Sequence, residues 1–287
     1  MNRREWLKGT VIGAIALTVA PQILAAQTQA AEARLAGLER ARGGRLGVAM
    51  LDTGSGLRAT HRGDERFLMC STFKLLLVAA VLTRVDRGEE KLDRRIVFGQ
   101  DALLEYAPVT KRHVGPPGMT VAGLCEAAIT LSDNTAANLL LATVGGPSGV
   151  TRHARGLGDP LTRLDHTEPT LNRPDGDMDT TTPLAMLGDT RKLLLGDALS
   201  DASRRRLIGW LLGCKTGADS LRAGLPPDWR EGDKTGSGRT ANNDVAILWP
   251  PRRKPLLVAA YYDNAAASVA AREAVLAGVG RIIAALV

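Results

Sequence analysis

The chain is predicted to be a mixed α/β protein in which strands near both termini meet in one sheet around an inserted helical block. Three observations carry this expectation. Short apolar runs bounded by turn residues lie near the two ends, at Leu46–Leu51, Val245–Trp249 and Leu256–Tyr262. The stretch between them, to about Cys214, is rich in Leu and Ala at helical spacing. No internal repeat, low-complexity tract or long linker interrupts the pattern. With 287 residues, 45% of them hydrophobic, the chain can bury a sizeable core in one or two domains.

Taken in order, residues 31–41 have the composition of a helix. Leu46–Leu51, between Gly44 and Asp52, suits a buried strand, with a second strand after Gly56. From Ser71 to Arg87 a long apolar segment without Gly or Pro ends at Gly88, which reads as a helix with a glycine stop. Further helices are expected at Thr120–Leu131, Thr135–Val144, Pro183–Leu195 and Ser203–Leu212. The two C-terminal strands follow, and a helix over Ser268–Leu286 closes the chain.

The first 30 residues form a separate unit. Arg3-Arg4 precedes Trp6, Leu7 and Lys8, then an uncharged run from Gly9 to Ala20 and a small-residue stretch through Ala25, Ala26 and Ala30. This reads as an export signal of twin-arginine type, giving a periplasmic or secreted protein after its removal. The run is shorter than the roughly 20 apolar residues a stable membrane anchor needs. Removing Arg3, Arg4, Lys8 and Glu5 lowers the formal charge from +7 to +5, with 34 basic residues against 29 acidic ones. That excess is spread along the chain with no dense basic run, which argues against a nucleic-acid partner. Cys70, Cys125 and Cys214 share no metal-ligand spacing, and neither do His61, His113, His153 and His166, so neither metal nor cofactor is expected.

Four short motifs carry the chemistry: Ser71-Thr72-Phe73-Lys74, Ser132-Asp133-Asn134, Glu168-Pro169-Thr170-Leu171-Asn172 and Lys234-Thr235-Gly236. A Ser-x-x-Lys spacing alone arises by chance in chains of this size, but the ordered set does not. If Ser71 begins its helix, its backbone N–H is unpaired there and favours negative charge. Lys74, three residues on, shares that helix face and can reach the hydroxyl. A carboxylate such as Glu168 beside a water is the general base that an acyl-serine needs for hydrolysis.

The set resembles the active-site signature of the class A serine β-lactamases, over nearly all of the chain after residue 30. The resemblance implies a β-lactamase-like fold: an antiparallel sheet flanked by helices, an all-helical part, and an active site in the cleft between them. It divides the chain into a discontinuous α/β domain (31–69 and 213–287) and a helical domain (70–212) bearing the Glu168 loop. Ser71 would be the nucleophile, Lys74 and Glu168 its proton carriers, and Ser132 the group passing a proton to the lactam nitrogen. Tyr106 would wall the cleft, Asn134 would hold the substrate's side-chain amide, and Asn172 would help hold the hydrolytic water. Lys234, Thr235 and Ser237 would take the substrate carboxylate, and the Ser237 N–H would complete the oxyanion hole. The partners implied are β-lactam substrates and mechanism-based inhibitors, met by a monomer. The cysteines that some relatives pair have no counterpart at Val78 and Gly238, so three free thiols are expected.

The chain departs from the family in two places. His166 stands where many relatives carry an arginine that closes the glutamate-bearing loop, with Asp179 as its expected partner. The substrate-facing arginine is also missing from its usual positions: Ser220 and Asn242 occupy two of them, Arg272 is displaced in register, and Arg239 is the remaining candidate. Arg222 is expected to be a structural partner of Asp233. A peptidoglycan D,D-peptidase would share the Ser-Lys chemistry without the Glu168 loop, and a β-lactam sensor domain would acylate and stay acylated; both would form long-lived adducts with penicillins.

Overall fold

Strict alternation explains why the apolar strand runs have no polar breaks. The computed structural model describes residues 3–287, apart from the side chains of residues 3–21 and Ile23. Its main sheet has five strands: β1 (Arg45–Asp52), β2 (Arg58–His61), β7 (Arg230–Ser237), β8 (Ala241–Trp249) and β9 (Leu256–Asp263). Every neighbouring pair is antiparallel, in the order β2-β1-β9-β8-β7. Along β1, β8 and β9 one set of side chains faces each side. Leu46, Val48, Met50, Val258, Ala260 and Tyr262 pack with Leu35, Val275, Leu276 and Val279. Ala49, Leu51, Val245, Ile247, Ala259 and Tyr261 pack instead with the helical block. Both faces are therefore dry, and a strand dry on both faces reads as a continuous hydrophobic run.

The first face is covered by α1 (Arg3–Arg42) and α8 (Val269–Ala284). The helix expected at residues 31–41 is the end of this longer one. The export-signal reading of residues 1–30 falls mainly on residues and side chains outside those described. No helix among the described residues is long and apolar enough to cross a membrane.

On the other face, α2 (Phe73–Asp86) is buried at every position from Phe73 to Leu82, which accounts for its apolar character all round. Around it pack α3 (Val121–Thr130), α4 (Asn134–Val144), α5 (Pro147–Gly156) and α7 (Asp201–Leu212), while α6 (Pro183–Leu195) lies against β1 and β9. Polar residues start these helices where expected: the side chains of Thr120, Asp133, Thr182, Ser200 and Ser268 each accept a backbone N–H from the first turn. Helix α5 was not expected from the sequence. Its Gly, Ser, Val, Thr and His residues are weak helix formers, and its start at Gly146-Pro147 reads as a turn. The two-residue pairs β3 (Phe67–Leu68) with β6 (Thr180–Thr181), and β4 (Arg95–Ile96) with β5 (Met119–Thr120), are too short for any periodic signal.

Strand β7 is an edge strand, and one side chain ties the sheet to the segment entering α2. Asn243 on β8 donates to the carbonyls of Leu68 (2.9 Å) and Met69 (3.0 Å). Replacing Asn243 with Leu would take this donor from the buried Leu68 carbonyl, at about 1–3 kcal/mol, while the Met69 carbonyl keeps the Thr72 hydroxyl (2.8 Å) and N–H (3.2 Å). We expect urea denaturation to show Asn243→Leu destabilised by about 1–3 kcal/mol; a loss below about 0.5 kcal/mol would mean that the contact does not hold this junction.

Candidate active site

The turn before α2 sets the position of the nucleophile candidate. Cys70–Thr72 form a single 3-10 turn, and Cys70 takes a left-handed φ of 45°. Ser71 thus enters the helix from a sharp bend and not from the straight helical start the sequence suggested. The edge of β7 can come close because Gly236 has no side chain: a Cβ there would lie 2.8 Å from the Met69 carbonyl oxygen and 3.2 Å from Cys70 Cβ. Ser237 follows Gly236 at the exposed end of β7.

Lys74 is fully buried, at 0% exposure, on the same face as Ser71. Its ammonium donates to Ser71 Oγ (3.0 Å), the Ser132 carbonyl (2.8 Å) and Asn134 Oδ1 (2.6 Å), with Ser132 Oγ at 3.3 Å. Glu168 Oε1 lies 3.0 Å away. Burial holds its pKa below the usual lysine value, against the opposing pull of the Glu168 charge and hydrogen bond. Ser71 Oγ in turn donates to Glu168 Oε1 at 3.2 Å, so lysine, serine and glutamate form one directed chain.

Ser132 turns in a left-handed conformation (φ 56°) ahead of α4. Asp133 orders that turn: it caps α4 through Ala136 N and accepts from Val109 N, Thr110 N and Thr110 Oγ1. Ser132 Oγ is left between two lysines, with Lys234 Nζ at 3.1 Å. Lys234 is also fully buried and bonds the Thr235 carbonyl at 2.6 Å. Burial first, and the Lys74 charge second, lower its pKa to about 8.

Glu168, 3% exposed, is held at both ends. Asn172 Nδ2 donates to Oε2 at 2.6 Å. Asn138 on α4 grips the backbone, donating to the Glu168 carbonyl (2.9 Å) and accepting its N–H (3.0 Å). Asn138 escaped the sequence reading; its only signal is an amide residue four positions after Asn134, on the same helix face.

Ser71, Tyr106, Ser132, Asn134, Asn172, Thr235 and Ser237 line one cleft of about 440 Å³, and Lys74, Glu168 and Lys234 lie buried beside it. Thr216, whose hydroxyl is 2.5 Å from that of Thr235, Ser220, Asn242 and Glu273 complete the wall. Tyr106 is 49% exposed, which makes it a wall residue and not a core one. The arginine candidates fare differently. Arg239 sits exposed in the turn between β7 and β8 and does not line the cleft, because the short hairpin ends before it can fold back. Arg272 is buried and committed to Asn242 Oδ1 (2.7 Å) and the Ala267 carbonyl (2.6 Å). Arg222 pairs with Asp233 (2.5 Å) and Glu231 (2.9 Å), although it is only part-buried. Cys70, Cys125 and Cys214 are free and buried.

A buried lysine bonded to a serine that is itself bonded to a carboxylate, on the wall of an open cleft, is equipped for serine acyl-transfer chemistry. Comparison with known proteins agrees. Residues 30–287 match the model of the β-lactamase enzyme family. The chain is 42% identical to β-lactamase OXY-2 of Klebsiella oxytoca over 287 residues, 99% of each protein. It is 51% identical to β-lactamase L2 of Stenotrophomonas maltophilia over 251 residues, covering 86% of this chain and 82% of that one. The structure of an ancestral (GNCA) class A β-lactamase superposes with a TM-score of 0.86 at 58% identity, covering 88% of this chain and 98% of that chain. The chain belongs to the class A serine β-lactamases. Its activity is the hydrolysis of β-lactam antibiotics, the reaction that confers resistance to them.

The glutamate-bearing loop is closed by the clamp expected of His166. His166 Nδ1 lies 2.7 Å from Asp179 Oδ2, and Asp179 Oδ1 accepts the N–H groups of Asp165 and His166. Hydrogen bonding to Asp179, then its charge, raises the His166 pKa above 6.5. A raised folded-state pKa makes the clamp's contribution complete below about pH 6.5 and lost as pH climbs through the raised value. Amide exchange in residues 165–179, corrected for intrinsic rates, should therefore lose protection as pH rises above about 6.5 and stay level in a His166→Arg variant. Equal profiles for the two proteins would remove the clamp's titration.

Proposed function

We propose that hydrolysis runs through an acyl-Ser71 intermediate and that Glu168 activates the water that releases it. The observation that carries this reading is the directed chain from Lys74 Nζ through Ser71 Oγ to Glu168 Oε1, at 3.0 and 3.2 Å. Ser71 Oγ adds to the lactam carbonyl while its proton passes to Glu168 or to Lys74. A lysine with a lowered pKa is a competent acceptor once neutral, and the glutamate is already in contact. The oxyanion is held by the backbone N–H groups of Ser71 and Ser237, each worth about 3 kcal/mol in reactions of this type. Ser132 Oγ, between Lys74 and Lys234, delivers a proton to the lactam nitrogen as the ring C–N bond breaks. In the second half, Glu168 takes a proton from water, the resulting hydroxide attacks the ester carbonyl, and Ser71 recovers its proton as it leaves. Asn172 keeps the carboxylate aimed by bonding the oxygen that does not face Ser71.

Thr235, Thr216 and Ser237 offer hydroxyls to the substrate carboxylate above the buried Lys234, and Asn134 meets the side-chain amide. In this reading the segments 31–69 and 213–287 act as one α/β domain and residues 70–212 as a helical one, with the reaction between them. The protein is exported through a twin-arginine signal within residues 1–30 and works as a monomer outside the cytoplasm.

Intact-mass spectrometry during turnover of benzylpenicillin and a chromogenic cephalosporin tests the scheme. Wild type should turn over rapidly without a lasting adduct. Glu168→Ala should accumulate one acyl group at Ser71, with deacylation slowed on the order of 10²–10⁴-fold, and Ser71→Ala should form none. Deacylation at the wild-type rate in Glu168→Ala would assign the base elsewhere.

A further inference from the structure

The wall at the end of the cleft that receives the substrate carboxylate presents a carboxylate where an arginine was sought, above the buried Lys234. Among the described residues, Glu273 is the only charged side chain lining the cleft. Lys74 and Lys234 are buried beneath the wall with their ammonium groups committed, and Arg272 is held by Asn242 and the carbonyls of Asn264, Ala267 and Gly238. Glu273 stands in the second turn of α8, directly after the arginine that grips Asn242, and Asn242 is cross-strand partner to Ser237. The carboxylate therefore shares the wall with Thr216, Ser220 and Asn242, and it forms no ion pair among the described residues. Partial burial, then the charge of Asp219, raises its pKa, with Arg272 opposing.

We propose that Glu273 is a specificity-determining residue that selects substrates by charge, favouring β-lactams that carry a cationic substituent on the ring beside the carboxylate over those that are neutral there. This rests on the acyl-Ser71 reading above. Every β-lactam of this kind brings an obligatory carboxylate to the same end of the cleft. An anionic wall raises the cost of that charge, and a positive group on the neighbouring ring position offsets it by meeting Glu273. The interaction acts on binding, so it belongs in KM more than in kcat.

The test uses two cephalosporins with the same acylamino side chain, one bearing a neutral acetoxymethyl group and the other a cationic pyridiniummethyl group at ring position 3. The quantity read is the ratio of their kcat/KM values, cationic over neutral, at low ionic strength. In Glu273→Gln this ratio should fall on the order of three- to tenfold, through a lower KM for the neutral substrate and a higher one for the cationic substrate. Glu273→Arg should push it further the same way. In wild type, with no substitution, raising the salt to about 0.5 M should shrink the preference, because an exposed pair is screened. A ratio unchanged within twofold in Glu273→Gln overturns the proposal. Failure of the underlying scheme is seen separately, as the absence of an adduct at Ser71 in Glu168→Ala.

Discussion

A lysine ammonium with no exposure to water is the constraint around which the rest of this site is arranged. Taking such a charge out of solvent costs several kcal/mol, and Lys74 meets that cost by collecting partners from three separate stretches of chain. Ser71 is in the turn that leads into its own helix, Ser132 and Asn134 come from the turn and first residue of α4, and Glu168 comes from the loop closed by His166 and Asp179. Each partner is a group the chemistry uses. The need to satisfy a buried cation and the need to place a nucleophile, an acid and a base within reach of one another are thus met by the same contacts.

The second buried lysine extends the argument beneath the cleft. Lys234 lies on a strand pair that also buries Glu231, Asp233 and Asp244, and Arg222 neutralises two of these. Burial and the neighbouring carboxylates raise Asp244 well above its ordinary value and Glu231 to about 7. Protons shared among these acids keep their combined charge below what their number suggests. The acids below Lys234 and the hydroxyls above it leave a cation that is felt in the cleft without being exposed there.

Three of the five non-glycine residues with left-handed φ among those described lie at the same points; Arg62 and Arg252 lie elsewhere. Cys70, Ser132 and Asp179 all take left-handed φ values, of 45°, 56° and 58°, although none is glycine. Each such residue costs on the order of 1–3 kcal/mol. They precede the nucleophile, carry the hydroxyl between the lysines, and close the glutamate loop. What holds them is tertiary: Asn243 bonds the carbonyls before Cys70, Asp133 orders the turn after Ser132, and Asp179 is gripped by the N–H groups of Asp165 and His166 and by the His166 ring.

Much of this was legible in the chain alone, because it is local. Alternation and apolar runs report strands and helices within a few residues, and the spacing of Ser71 with Lys74, or Glu168 with Asn172, follows from single turns of backbone. The clamp of His166 on Asp179 was read from the resemblance, which puts His166 where relatives carry the loop-closing arginine, and the pairing of Arg222 with Asp233 was expected alongside it. The helix at Pro147–Gly156 could not, since its composition opposes helix and only packing against α2 and α4 secures it. Nor could Asn138 holding Glu168, Asn243 holding the entry to α2, or Glu273 standing where an arginine was sought. Those contacts join residues 30 to 175 positions apart in the chain, or depend on which face of α8 meets the cleft. Nothing within one turn of sequence encodes that; it is settled only when the sheet and the helices close on one another.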